Sequence, residues 1–555
     1  MAAADKTAEL CWGQRYIWLR HHQLPAEARH ETHIVTSFPL PPGAPLIGVR
    51  TMLNYLVRRH EALRTTYHCD GEGGPWQRVH PPRGVPLLTA STERDGTDSP
   101  AEVIERLSTA PFDLATEWPI RACAVLTGGQ PTKLVLVLNH MAFDAWTVDR
   151  FEQELQALGT GISSGRPAAL PPVRHQPVDL AQYQASPAGR ADTEPAVAYW
   201  RAEIEQLPSD SFAGRRRTGQ PTASAAESET GSTGARAGAS FSATLTSPEL
   251  LAASRQIAAR HQVWPSVVHL TGYAMLMAAY TGQDLVSTLA FTGNRDARSH
   301  AEVMTCMFSP LLMRLDCPAG SSFAEVLETT ARRFELGQRH SAVPYDELLE
   351  LVAGESDRRG EPVRLGSEFN FLSHASQASR ARRTRLVWNA EPVSWARYGA
   401  DSYLRAYELR DAAVISLQAS ATVLDAPAVE AFLRGYERLL LSTELAGVTV
   451  ADIAELAGFP AATSPAGEPP QAAAWPAAPG GEAALAAAVA ELNGLDSVDV
   501  TRNYSVAGGR VLRIPAVLEN LRCRGWTGLA VYDLAGAMPL GALAGRLSRT
   551  AEQAA

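Results

Sequence analysis

At 555 residues the chain is too long for one compact core and is expected to divide into two or three domains. Its 45% hydrophobic and 20% charged composition excludes a mostly disordered protein. The net charge of −9 excludes a dedicated nucleic-acid binder, which needs clustered Lys and Arg against phosphates; the one dense basic run, Arg215-Arg216-Arg217, reads as solvated linker.

From the N-terminus, Met1 to Lys6 lacks the charged-then-apolar pattern of a signal peptide. No apolar run reaches the ~20 residues that span a bilayer, so a soluble, cytoplasmic protein without a membrane partner is expected. Residues 47–60 carry Val49, Leu53, Leu56 and Val57 at helical spacing, and 101–108 predict a second helix through Val103, Ile104 and Leu107. Leu134 to Leu138 is wholly apolar, as in a strand buried on both faces. Trp146 to Leu158 is an amphipathic helix built on Val148, Phe151, Leu155 and Leu158. Pro171-Pro172 then breaks the chain, placing a boundary near 175.

Residues 207–240 are crowded with Ser, Gly, Ala, Thr and Arg and read as a flexible insertion. Beyond it come a long apolar helix over 264–280, a strand at Leu285–Phe291, and a helix carrying Phe323, Val326, Leu327 and Phe334. Strands follow at Glu368–Leu372 and Val414–Val423. Residues 457–480 form a semi-rigid Pro/Ala/Gly linker. The expected organisation is an α/β lobe over 1–175, a second over 176–456, and a small body over 481–555.

The stretch that carries chemistry is Leu138-Asn139-His140-Met141-Ala142-Phe143-Asp144. A buried strand delivers an imidazole at the end of a rigid element, and a helix follows. Histidine is the side chain suited to proton transfer near neutrality. A lone His-x-x-x-Asp equally describes a satisfied core histidine at a strand end. Other patterns carry less. Gly161-Ile-Ser-Ser-Gly165 follows a helix, whereas a nucleophile elbow follows a strand. His30 and His33 lack the spacing of a helical zinc pair, and His21-His22 reads as exposed. Six scattered cysteines form no Cys-x-x-Cys pair and fit reduced thiols rather than disulfides or a metal site. No phosphate loop or dinucleotide fingerprint occurs, so any adenylation enzyme would be a separate partner.

The neighbouring motifs resemble the condensation-domain family of nonribosomal peptide synthetases over residues 8–455. The His140 stretch matches its His-His-x-x-x-Asp-Gly signature. Leu10-Cys-Trp-Gly-Gln-Arg-Tyr-Ile-Trp-Leu19 resembles the family's opening element, and Arg59-His-Glu-Ala-Leu-Arg-Thr65 matches another at every fixed position. Pro111-Phe-Asp-Leu114 with Pro119-Ile-Arg121, Tyr280 to Asp284, Gly293-Asn-Arg295 and Val343 to Glu347 follow in the family's order. The resemblance implies two chloramphenicol acetyltransferase-like lobes in a V-shaped pseudo-dimer, with a tunnel between them. Phosphopantetheine arms of acyl- or aminoacyl-loaded carrier proteins would enter it, and no cofactor would be held covalently. His140 would act as base or positioner of an amine, and the Ala145 N–H would face oxyanion charge. Asp144 would pair with Arg64, and Trp146 and Thr147 would shape the helix start and tunnel wall. Asn139 stands for the motif's first histidine, where an amide can still hydrogen-bond. Ala145 stands for its glycine; if that position needs positive φ, alanine strains the loop by ~1–2 kcal/mol.

Leu495-Asp-Ser-Val-Asp-Val500, Asn503-Tyr504 and Gly508-Gly509 resemble a peptidyl carrier domain, a small α-helical bundle. Val511 occupies the place of its phosphopantetheine serine, and Ser505 lies six residues too early. Three functions remain open: an amide-forming condensation enzyme (an ester being the lesser alternative), a catalytically idle interaction domain of the same fold that recruits partner proteins, and an acyltransferase of that fold taking a soluble acceptor or acyl-CoA, or an epimerase. An epimerase would carry a glutamate-bearing element that is not found.

Overall fold

The computed structural model describes residues 6–550 except 70–72, 94–97, 165–167, 169, 217–239, 296–299, 375–376, 391–399 and 460–478. Most of the expected insertion and linker therefore lies outside the described residues.

The first half contains strands β1 (Lys6–Glu9), β2 (His33–Pro39), β3 (Thr65–His68), β4 (Trp76–Val79), β5 (Leu87–Ser91), β6 (Ile120–Thr127) and β7 (Gln130–Asn139). Its helices are α1 (Trp12–Gln23), α2 (Leu46–Arg59), α3 (Pro100–Thr109) and α4 (Ala145–Ser164). A four-stranded sheet runs β2-β7-β6-β5, and a smaller one β1-β4-β3. The apolar run Leu134–Leu138 is buried throughout because both faces of β7 are covered: Leu134, Leu136 and Leu138 cluster with Leu53 and Leu56 of α2 and Phe151 and Leu155 of α4, while Val135 clusters with Val103 of α3 and Val137 with Tyr16 and Ile17 of α1. Helix α3 starts where Ser99 and Glu102 form a reciprocal capping box ahead of Pro100.

Helices α5 (Pro177–Ala185) and α6 (Pro187–Ile204) lead into the second half. There, α7 (Pro248–His261), α8 (Pro265–Thr281), α9 (Phe323–Arg339) and α10 (Tyr345–Arg359) accompany β8 (Ser240–Ser247), β9 (Leu285–Thr292), β10 (Ser309–Asp316), β11 (Ser367–His374), β12 (Arg385–Trp388), β13 (Ser402–Leu409) and β14 (Ala413–Ser420). One seven-stranded sheet orders them β10-β9-β11-β13-β14-β8-β12. Helix α8 is apolar all round because α7, α9 and the helices Ala426–Leu440 and Val450–Ala457 surround it.

Three expectations are corrected. Residues 207–216 are not all open insertion: Leu207 and Phe212 join the core of the second half. Arg215 lies over the Tyr280 ring at 4.3 Å, and Arg216 pairs with Asp210 and Asp401 at 2.5 and 2.7 Å, so neither is solvated linker; Arg217 lies outside the described residues. His21 is 2% exposed, because α1 is enclosed on several sides and has little free face.

The C-terminal residues form the helices Gly481–Asn493, Ile514–Cys523, Val531–Leu534 and Leu540–Ala544. This body packs on α1 and α10. Asn503 Nδ2 donates to the Ala353 carbonyl at 2.9 Å, Arg502 Nε to Asp357 at 2.9 Å, and the Val511 amide to Glu350 Oε1 at 3.1 Å. A shared apolar cluster runs from Trp18 and Leu19 of α1 to Leu518, Val531 and Leu534. No described helix is long and apolar enough to cross a membrane.

Candidate active site

His140 follows the last residue of β7, and the chain turns at once. The Asn139 carbonyl accepts from Ala142 N at 3.1 Å, and its side-chain Oδ1 accepts from Met141 N at 2.9 Å. An amide thus performs the turn-making role, while Asn139 Nδ2 is buried without a partner. The His140 amide donates to the Thr32 carbonyl at 3.3 Å, tying the loop to the residue before β2.

Asp144 immediately precedes α4 and caps it: Oδ1 accepts from Thr147 N at 2.9 Å and from the Thr147 hydroxyl at 2.7 Å. Its other oxygen accepts from Arg295 Nη2 at 2.9 Å and from Met307 N at 3.0 Å. Burial alone would raise this carboxyl; Arg295, Thr147 and Met307 override it and hold the group below its ordinary range. Arg295 also donates to the carbonyls of Ala301, Val303 and Thr305, so one guanidinium gathers the 301–307 loop against the His140 loop.

Arg64 is the partner expected from sequence. Instead Arg64 lies 3.4 Å from Glu61 and donates to the His80 carbonyl, held against the smaller sheet by its own turn. The true partner was present in Gly293-Asn-Arg295. Asn294 takes φ +49, a left-handed conformation asparagine tolerates, and turns the chain after β9. Ala145 is not among the described residues with positive φ, so the expected strain is absent; as the first residue of α4 it takes ordinary helical backbone. Trp146 does not line the His140 cavity; its ring lies 4.0 Å from the Arg295 guanidinium. Thr147 is buried, and its hydroxyl, which donates to Asp144, accepts from Arg295 Nη2 at 3.1 Å.

His140 and Ala145 border a cavity of about 940 Å³ between the halves. Tyr16, Ile17 and Arg20 come from α1, Phe291 from β9, Phe308 from the following loop, and Glu368 and Arg405 from β11 and β13. Burial lowers the His140 imidazole below its ordinary value, opposed by the Asp144 carboxylate and by the backbone at His140 and Phe143. The ring is therefore neutral near neutral pH and able to accept a proton. The Cys306 thiol sits 3.7 Å from His140 Nδ1, and burial pushes that thiol well above its ordinary value. Sequence reasoning missed Cys306, Arg20, Glu368 and Arg405 as neighbours, since none stands in a motif next to His140.

The family model for the condensation domain matches residues 14–443. The chain belongs to the condensation-domain family. Among relatives of this condensation domain, phosphinothricin tripeptide synthetase PhsC of Streptomyces viridochromogenes is 25% identical over 371 residues, covering 65% of this chain and 32% of the relative. Chondramide synthase cmdD of Chondromyces crocatus is 24% identical over 329 residues, covering 57% of this chain and 8% of the relative. The chain thus spans a minor part of these curated relatives. The condensation domain of the Monacolin K polyketide synthase MokA superposes with TM-score 0.61 at 18% identity, covering 80% of this chain and 99% of that one. The X-domain in its complex with OxyB from teicoplanin biosynthesis gives 0.60 at 18% identity, covering 82% and 97%.

Proposed function

We propose that this condensation domain joins a carrier-bound acyl or aminoacyl thioester to an amine, forming an amide. The observation that carries this reading is His140 in one cavity with Ala145, the first residue of a helix, between two α/β halves. The reading takes these halves as lobes of a V-shaped pseudo-dimer over 1–175 and 176–456, with phosphopantetheine arms supplied by partner carrier proteins. Neutral His140 accepts a hydrogen bond from the attacking amine and takes its proton as the C–N bond forms. The Ala145 N–H, unbonded within the helix because of its position, faces the developing oxyanion. The thioester C–S bond then breaks and the proton passes to the departing thiolate. Asp144 and Arg295 hold the loop and do not touch the reacting atoms.

The body after 480 is read as a carrier-like bundle that no longer carries an arm. Val511 is fully buried, and the Ser505 hydroxyl is buried as well, so neither offers an attachment point. A second reading, an idle platform for partner proteins, draws on Asn139 in place of the first histidine and on the X-domain neighbour found in complex with OxyB. Incubation with acyl-loaded carrier proteins and amine acceptors, with product mass as readout, separates the two. The enzyme reading requires amide product that disappears in His140→Ala; absence of product across loaded carriers favours the platform.

A further inference from the structure

Strands β11 and β13 run parallel with Glu368 opposite Tyr403 and Asn370 opposite Arg405. Side chains alternate along a strand, so these four share one face. That face borders the His140 cavity, while Phe369, Leu404 and Ala406 point into the core behind. One atom of each of two oppositely charged side chains lacks a hydrogen-bond partner there, although Arg20 pairs with Glu368 and the Arg405 guanidinium lies 5.6 Å from the Tyr403 ring centre. Glu368 is 6% exposed; its Oε1 takes one long contact from Arg20 Nη1 at 3.5 Å, and its Oε2 is buried with no partner. Arg405 Nε is likewise buried with no partner. Between them Asn370 Nδ2 is committed, donating to the Tyr403 hydroxyl at 3.2 Å.

Buried polar atoms are nearly always hydrogen-bonded, and an exception calls for an explanation. Two exceptions of opposite charge on neighbouring strands of one cavity wall share the same one: a ligand carrying both complementary charges. Strand spacing and a two-residue offset place the two Cα atoms roughly 8 Å apart, within reach of one small head group for side chains as long as Glu and Arg. A second space of about 510 Å³ also borders Glu368, Arg20 and Tyr16, so Glu368 stands between two volumes that admit a small solute.

We propose that Glu368 and Arg405 form a subsite for the head group of a free α-amino acid, with its ammonium on Glu368 Oε2 and its carboxylate on Arg405 Nε–H. Joined to the condensation reaction proposed above, on which this extension rests, the subsite makes the acceptor a free amino acid that reacts through its side chain. A side-chain amine forms the C–N bond with the donor carbonyl carbon, the thioester C–S bond breaks, and the amine's proton leaves with the thiol.

Calorimetric titration of the full chain without donor tests the subsite directly. The probes are ornithine, putrescine (the same chain without carboxylate) and δ-aminovalerate (without α-ammonium). Ornithine should bind at least about tenfold more tightly than either analogue, since each loses a charged hydrogen bond. Glu368→Gln should bring ornithine down to the level of δ-aminovalerate, and Arg405→Met to that of putrescine. Equal binding of all three probes, or unchanged selectivity in folded Glu368→Gln, overturns the subsite; if a variant misfolds, the wild-type probe series alone decides. Ornithine selectivity without product formation keeps the subsite and sinks the reaction. Amide formation at equal rates with amines lacking the head group keeps the reaction and sinks the subsite.

Discussion

Asp144 and Arg295 are 151 residues apart in sequence, yet their side chains meet at 2.9 Å with 5% and 9% of their surfaces exposed. Asp144 caps the helix after His140, and Arg295 holds the 301–307 loop, so the pair fastens one half of the molecule to the other at the candidate site. Breaking one partner leaves a buried charge uncompensated, at about 3–5 kcal/mol. Asp144→Ala and Arg295→Ala should each lower chemical-denaturation stability by that order, and the double variant by clearly less than the sum. Arg64→Ala should show no coupling to Asp144. Additive losses for Asp144 and Arg295 would show that the pair is not energetically joined.

His140→Ala should leave the melting temperature near wild type and lower amide formation by roughly 10²–10⁴-fold. The proposed mechanism uses neutral imidazole, and the His140 pKa lies below the ordinary 6.5 because the ring is buried. Activity should therefore persist below pH 6.5 and decline only as the ring gains its proton in more acid solution. A rate profile whose acid limb lies above that value would contradict the neutral-base role.

Gly13 in α1 has no room for a side chain. A Cβ there would lie 2.4 Å from the Cys306 carbonyl oxygen and 2.8 Å from Met307 Cα, both backbone. Gly13→Ala should therefore cost about 1–3 kcal/mol, the range of overpacked cores. Because Met307 N donates to Asp144, it should also lower activity beyond the stability loss. Wild-type stability and turnover together would show that α1 can move away freely.

Glu350, on α10, accepts from the Val511 amide where the C-terminal body docks. Burial raises its carboxyl from 4.5 to about 7, with Asp346 and Glu347 adding to the rise while Val511 and Arg15 oppose it. A carboxyl raised in the folded state favours folding when protonated. Its contribution is full below pH 4.5 and is lost as pH rises through about 7. The effect amounts to at most about 3 kcal/mol. Glu350→Gln should flatten the pH dependence of stability across that window. An identical pH dependence in the variant would refute the coupling.

A phosphopantetheinyl transferase with coenzyme A should add no mass to this protein, since Val511 has no hydroxyl and the Ser505 hydroxyl is buried. Intact mass spectrometry reads this directly. A modified residue within 481–555 would overturn the carrier-like alignment.

Much of this was legible in the sequence because it rests on local rules. The apolar run Leu134–Leu138 announced a strand buried on both faces, and the structure extends it to Gln130–Asn139. The periodicity at Val49, Leu53, Leu56 and Val57 announced α2. The position of His140 between that strand and the next helix also followed from order along the chain. What tertiary structure alone decided is which distant groups meet. Arg64 and Arg295 are both motif arginines, and no spacing rule tells which one reaches Asp144; the turn at Asn294 does. Ala145 has no left-handed backbone, because α4 begins at Ala145 itself. Glu368 and Arg405 belong to no shared pattern, being 37 positions apart, and only the parallel register of β11 and β13 turns them to one face. Secondary structure is set by neighbours along the chain, whereas a buried charge finds its partner through packing, and packing is a property of the whole fold.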